Sequence, residues 1–164
     1  MNKRRLHRLT LLGLGAALIV GPAAWAADSA PATAATKPEF LNSGKVVPTT
    51  LPFSEAVRVG NTLYLSGQVG LVPGTLKLVP GGLKEEARQT MDNIRTTLEA
   101  HGAALTDVVK CTVFLADLAE WGAFNDIYKT YFAAGRFPAR SALGANGLAF
   151  NARVEVECIA ALPR

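Results

Sequence analysis

Few side chains in this 164-residue chain interrupt an apolar pattern in a way that suggests chemistry. Arg140 is one: it stands in Phe137-Pro138-Ala139-Arg140-Ser141, close behind a proline that restricts the backbone and ahead of an apolar stretch. Glu155 is another. Arg153, Glu155 and Glu157 alternate with Val154, Val156 and Cys158, and the period of two puts the three charged residues on one strand face. An arginine can hold an anion and a glutamate can carry a proton. The same pattern also describes a plain solvated strand face, and spacing alone leaves both readings open. Ser66 and Asn125 read equally well as a strand hydroxyl and a helix-surface amide.

Other chemistries find little support. His101 sits beside Gly102 where a helix should end, which suits a terminus better than a catalytic base. No G-x-S-x-G elbow accompanies it, so a Ser-His-Asp hydrolase is disfavoured. There is no GxxxxGK[ST] loop to cradle a phosphate and no GxGxxG opening a helix. Cys111 and Cys158 are far apart and no CxxC occurs, so no structural metal site is expected.

The elements that must position Arg140 and Glu155 follow from periodicity. Val57 to Val59 and Thr62 to Val69 are strand-like runs across Gly60-Asn61, a pair that tolerates the positive φ of a hairpin turn. Pro73-Gly74 and Pro80-Gly81-Gly82 punctuate a loop. Leu83, Ala87, Met91, Ile94 and Leu98 then form one apolar stripe, predicting a helix that ends near His101-Gly102. Val108 to Leu115 is short and β-branched, as a central strand should be. Asp117 with Glu120 resembles a capping box opening a second helix, whose stripe is Trp121, Phe124, Ile127, Tyr128 and Tyr131, with Gly135 as its stop. Those aromatics are expected to be core. Gly144-Ala145-Asn146-Gly147 suggests a bend, and Arg153 to Ala160 a final strand. The order argues for an α+β two-layer sandwich with both helices on one face, leaving the other sheet face to solvent or another subunit.

Composition bounds the rest. With 49% hydrophobic and 18% charged residues the chain is neither disordered nor a nucleic-acid-binding tail. Four of its 17 basic residues, Lys3, Arg4, Arg5 and Arg8, precede an uncharged apolar run from Leu9 to Val20 and the triplet Ala24-Trp25-Ala26. That is the pattern of a secretory signal peptide over residues 1–26, cleaved after Ala26, and the apolar run is shorter than the ~20 residues of a spanning helix. Its removal leaves 13 basic residues against 13 acidic ones, a formally neutral chain. A periplasmic or secreted location is expected. Residues 27–45, rich in Ala, Thr, Ser and Pro, read as a flexible tether, and residues 46–164 as the folded domain. Export would let the two cysteines pair, but buried free cysteines are common, and spacing does not say whether the Cα atoms come within about 7 Å.

Several segments together resemble a known family. Ser66-Gly67-Gln68, Gln89 to Ile94, Val109 to Leu115, Asn125 with Tyr128, Phe137 to Ser141, and Val154 to Ala160 look like the Rid family of reactive enamine/imine deaminases, also called L-PSP endoribonucleases. The resemblance covers about residues 46 to 162. It implies a chorismate-mutase-like sandwich assembled as a homotrimer, with sites in the clefts between subunits. It further implies that Arg140 grips the substrate carboxylate, a task suited to a forked guanidinium, and that Glu155 positions or activates the attacking water. Phe53, Ser66, Gly67, Asn125 and Ala142 would line the cleft. No cofactor is implied: a 2-enamino acid tautomerises to a 2-imino acid, water adds to the C=N carbon, and a 2-keto acid and ammonium result. Ala142 stands where many deaminating members have Cys, which removes any thiol chemistry. Phe53 stands where they have Tyr, keeping the ring without the hydroxyl. The alternative is a non-catalytic binder of small carboxylates in the same cleft. Ribonuclease activity ranks last, because a neutral mature chain offers no electrostatic footprint for RNA.

Overall fold

The computed structural model describes residues 36–163. Its first hairpin turns where Gly60 takes φ 58°. Strands β2 (Ala56–Val59) and β3 (Thr62–Leu65) pair across that turn with Val59 opposite Thr62. An earlier strand, β1 (Glu39–Leu41), pairs with β2. Strand β1 falls within the stretch read as a tether, so the sheet begins sooner than composition predicts. Its anchor is Glu55, 1% exposed, whose carboxylate accepts from the Ser43 N–H at 2.8 Å and from the Ser43 hydroxyl at 2.7 Å. The Glu55 N–H in turn donates to Asn42 Oδ1 at 2.9 Å. The expected signal segment, residues 1–26, lies outside the described residues.

The run from Thr62 to Val69 is broken. Strand β3 pairs with β7 (Val154–Ala161) with Tyr64 opposite Ile159, and β4 (Gln68–Val69) pairs with β7 with Gln68 opposite Val156. Between those positions Leu65, Ser66 and Gly67 face only Glu157 and Cys158. The extra residue makes a β-bulge, a feature that bends a strand and re-aims its side chains.

Helix α1 (Leu83–Ala100) buries the expected stripe of Leu83, Ala87, Met91, Ile94 and Leu98. Strand β5 (Val108–Leu115) occupies its predicted bounds. Asp117 caps the next turn through Ala119 N–H, but the Glu120 carboxylate pairs with Arg153 at 2.6 Å instead of closing a capping box. Helix α2 (Trp121–Tyr128) buries Phe124, Ile127 and Tyr128, and ends in a 3-10 turn over Lys129–Tyr131, short of Gly135. Strand β6 (Ala139–Gly144) runs parallel to β5 and stops where the glycine-rich segment begins.

The sheet order is β1-β2-β3-β7-β5-β6, with β4 also on β7. This is an α+β fold with a mixed sheet, and Leu63, Val113, Leu115, Val154 and Val156 share one buried cluster with the stripes of both helices. Cys111 and Cys158 are registered opposite each other on β5 and β7, their Cα atoms 4.1 Å apart, and they form a disulfide. The pairing that spacing left open is therefore set by register. Among the described residues no helix is long and apolar enough to cross a membrane.

Candidate functional site

Glu155 owes its setting to the bulge. Strand β7 carries it opposite Val69 of β4 and Phe114 of β5, on the sheet face away from the helices. Gly67 makes room for its carboxylate: a methyl group added at Gly67 would stand 2.0 Å from Glu155 Oε1. Ser66 holds the bulge in place, its hydroxyl donating to the Ser54 carbonyl at 2.6 Å and its N–H to the Glu55 carbonyl at 3.1 Å. Burial pushes the Glu155 carboxyl above the usual glutamate range, and the like charge of Glu157 adds to the effect. A carboxylate with raised proton affinity is suited to take a proton from water and return it.

A cavity of about 410 Å³ opens beside Glu155, lined by Phe53, Ser66, Gly67 and Gln68. Its other walls are apolar: Val47, Leu51, Val69, Leu71, Ala149 and Phe150. The floor is tied to helix α1 by Asn93, 1% exposed, whose amide donates to the carbonyls of Val69 at 3.0 Å and Leu71 at 2.9 Å. Gly70 lets the helix come close, since a Cβ there would lie 2.7 Å from the Glu86 Cα.

Arg140 belongs to a different cavity. Strand β6 registers it against Cys111, on the helix side of the sheet. Its guanidinium carbon lies 4.5 Å from the ring centre of Tyr128 and 4.6 Å from that of Trp121. These stacking contacts hold the group by its faces and leave its in-plane donors for an anion. Among the described residues Arg140 makes no ion pair. A cavity of about 300 Å³ surrounds it, lined by Asn125, Tyr128, Lys129, Phe137 and Pro138. Asn125 Oδ1 and the Tyr128 hydroxyl are buried there without a hydrogen-bond partner among the described residues. Burial raises the Tyr128 phenol above its ordinary pKa, with the Arg140 charge opposing the shift.

One chain thus brings Phe53, Ser66, Gly67 and Glu155 together, brings Asn125 and Arg140 together elsewhere, and places Ala142 in neither group. Ala142, registered against Val113, lines a shallow depression with Leu118 and Trp121. Sequence reasoning missed Gln68, Leu71 and Phe150. It also assigned Trp121 and Tyr128 to the core alone, although Tyr128 is both buried and stacked on Arg140. Helical spacing identifies an inward stripe but cannot show which of its members meets the edge strand. Among the described residues no three His, Cys, Asp or Glu side chains gather into a metal-ligating group.

A mixed sheet with two helices on one face, a bulge beneath a glutamate and an aromatic-stacked arginine on the edge strand define the class of L-PSP-like α+β sandwiches. The profile described as Endoribonuclease L-PSP matches residues 44–162. The 2-iminobutanoate/2-iminopropanoate deaminase of Mus musculus is 48% identical over 109 residues, which are 66% of this chain and 80% of the mouse protein. Reactive Intermediate Deaminase A, chloroplastic, of Arabidopsis thaliana is 39% identical over 126 residues, 77% of this chain and 67% of that protein. The crystal structure of RidA from the Antarctic bacterium Psychrobacter sp. aligns with a TM-score of 0.70 at 35% identity, covering 76% of this chain and 99% of that one. The chain belongs to the Rid family.

Proposed function

We propose that this protein is an exported deaminase of 2-enamino and 2-imino acids, working at sites shared between copies of the chain in a homotrimer. The observation that carries the reading is Glu155, a partly buried carboxylate of raised proton affinity, seated in space that only a glycine leaves open. The deaminase names of relatives at 48% and 39% identity support the reaction class. Arg140 and Glu155 lie on opposite faces of the sheet, so one copy cannot offer both to one small substrate, whereas two adjoining copies can.

In the reaction the substrate carboxylate binds the free donors of Arg140 from one copy. The iminium carbon then faces Glu155 of the next. Water attacks that carbon as Glu155 takes its proton, and the C=N bond becomes a carbinolamine C–N bond. Glu155 returns the proton to nitrogen, the C–N bond breaks as the carbonyl forms, and the hydroxyl proton passes by way of Glu155 to the departing ammonia. Iminium plus water has become a 2-keto acid plus ammonium. Uncatalysed imine hydrolysis is already fast, so positioning alone supplies much of the gain.

Export is supported by the residue pattern of the first 26 positions and by the disulfide between β5 and β7, a bond that persists in oxidising compartments. The activity is tested by generating the imine with an amino-acid oxidase and trapping what survives with semicarbazide. Wild type should divert the imine to keto acid, and Arg140→Ala should not. Equal diversion by the two, or saturable 2-keto acid binding without acceleration, would replace the enzyme with a carboxylate-binding protein.

A further inference from the structure

We propose that the cavity beside Glu155 selects imino acids with a bulky apolar side chain, branched or aromatic, and that Phe150 sets this choice. The inference rests on the deaminase reading above and names the substrate class of that site. Its first ground is the lining. The polar side chains of the lining are Ser66, Gln68 and Glu155, while Leu51, Phe53, Leu71 and Phe150 offer only carbon. An acidic substrate side chain would meet no cation in the wall one copy supplies and would be repelled by Glu155, while the Arg140 of the adjoining copy is engaged by the substrate carboxylate. A basic one would compete for the carboxylate that must hold the water. At about 410 Å³ the cavity falls in the range of ~300–1,000 Å³ typical of small-molecule sites, room for the reacting carbon and its water together with a side chain larger than methyl or ethyl.

The second ground is backbone strain. Phe150 has φ 60° and ψ 15°, and Asn151 has φ 60°, so two successive residues sit in the left-handed region. Asparagine tolerates that conformation; a bulky aromatic rarely adopts it. Core burial does not compensate Phe150, whose side chain is 47% exposed. The turn is held from its far side. Ala152 is buried, and the Arg153 N–H donates to Glu86 Oε2 at 2.7 Å. A strained, exposed ring at the wall of an apolar cavity gains no core packing that would offset its strain. Strain of this kind gathers where a ligand is gripped. Phe53, 48% exposed on the same cavity, provides a second aromatic surface.

The test compares imines generated from leucine, phenylalanine, alanine and glutamate in the semicarbazide assay. Wild type should process the leucine- and phenylalanine-derived imines with kcat/KM at least about tenfold above the alanine-derived one, the scale on which a few methylenes discriminate, and should be slowest on the glutamate-derived imine. Phe150→Gly should raise Tm, because glycine relieves the left-handed strain, while compressing the leucine-to-alanine ratio toward one. A raised Tm with an unchanged ratio would reduce Phe150 to a structural oddity. A wild type that hydrolyses all four imines alike would overturn the proposal and leave the deaminase reading standing. A wild type that accelerates none of them would overturn both.

Discussion

Arg140 and Glu155 stand on opposite faces of one sheet. Arg140 is registered against Cys111, whose side chain points into the helix-covered core, while Glu155 is registered against Phe114 on the uncovered side. Arg140 also lies on β6, the last strand in the sheet order. An edge strand presents unpaired backbone and is a natural boundary between copies.

Mixing is therefore the sharpest test of a shared site. Arg140→Ala and Glu155→Gln should each be inactive alone. Denatured together and refolded at equal amounts, they should regain about one quarter of wild-type activity, the fraction of interfaces in a closed ring that unite an intact arginine with an intact glutamate. No recovery in mixed oligomers confirmed by mass would argue for sites within one chain.

Gly67→Ala isolates the space reserved for Glu155. The new methyl would lie 2.0 Å from Oε1, so the carboxylate must swing away, while the backbone at this position tolerates alanine. Misplacement on the ångström scale costs about 10²-fold in rate. The expected outcome is a loss of that order in kcat/KM, with a melting temperature within a few degrees of wild type. Retained activity would remove Glu155 from the chemistry.

The acid limb of the kcat/KM profile should report Glu155. Because burial and then Glu157 raise its pKa, the ionised base appears only above the ordinary glutamate value of about 4.3. Glu157→Gln removes the smaller cause, so the midpoint should move to lower pH yet stay above that value. Stability has the opposite sense: the folded state favours the protonated carboxyl, so the stabilisation this provides is lost as pH rises through the raised pKa. Glu155→Gln should flatten that part of the stability profile.

The Cys111–Cys158 bond closes a sequence separation of 47 residues, for which chain entropy predicts a stabilisation of about 4 kcal/mol and engineered bonds often deliver less. Denaturant unfolding with and without reductant should differ by about 2–4 kcal/mol, and the difference should vanish in a Cys111→Ala/Cys158→Ala double variant. The same preparation, recovered from the exported fraction, should begin at Ala27. An intact N-terminus in the cytosol, with free thiols, would remove the export proposal.

What was legible in the residues was what local periodicity controls. The stripe from Leu83 to Leu98, the Gly60-Asn61 turn and the run from Val108 to Leu115 each depend on neighbours in sequence, and each forms where expected. Long-range register was not legible. It decides that Cys111 meets Cys158, that Arg140 and Glu155 diverge, and that an extra residue at Ser66-Gly67 turns one run into two strands. Competition was hidden as well: Glu120 has the spacing of a capping residue, but Arg153 offers it a better partner. The left-handed turn at Phe150 was the least accessible, since no glycine marks it.

Asn93 gives the cavity floor an unusual allegiance. The carbonyls of Val69 and Leu71 both accept from one side chain of α1, so the floor is tied to a helix as well as to the neighbouring backbone, where the Val79 N–H donates to the Gly70 carbonyl and Leu71 bridges Leu78. The floor and α1 then form one unit of opening. Opening that exposes the floor must break both Asn93 bonds, so fluctuations confined to the edge of the sheet should leave the chamber's base undisturbed.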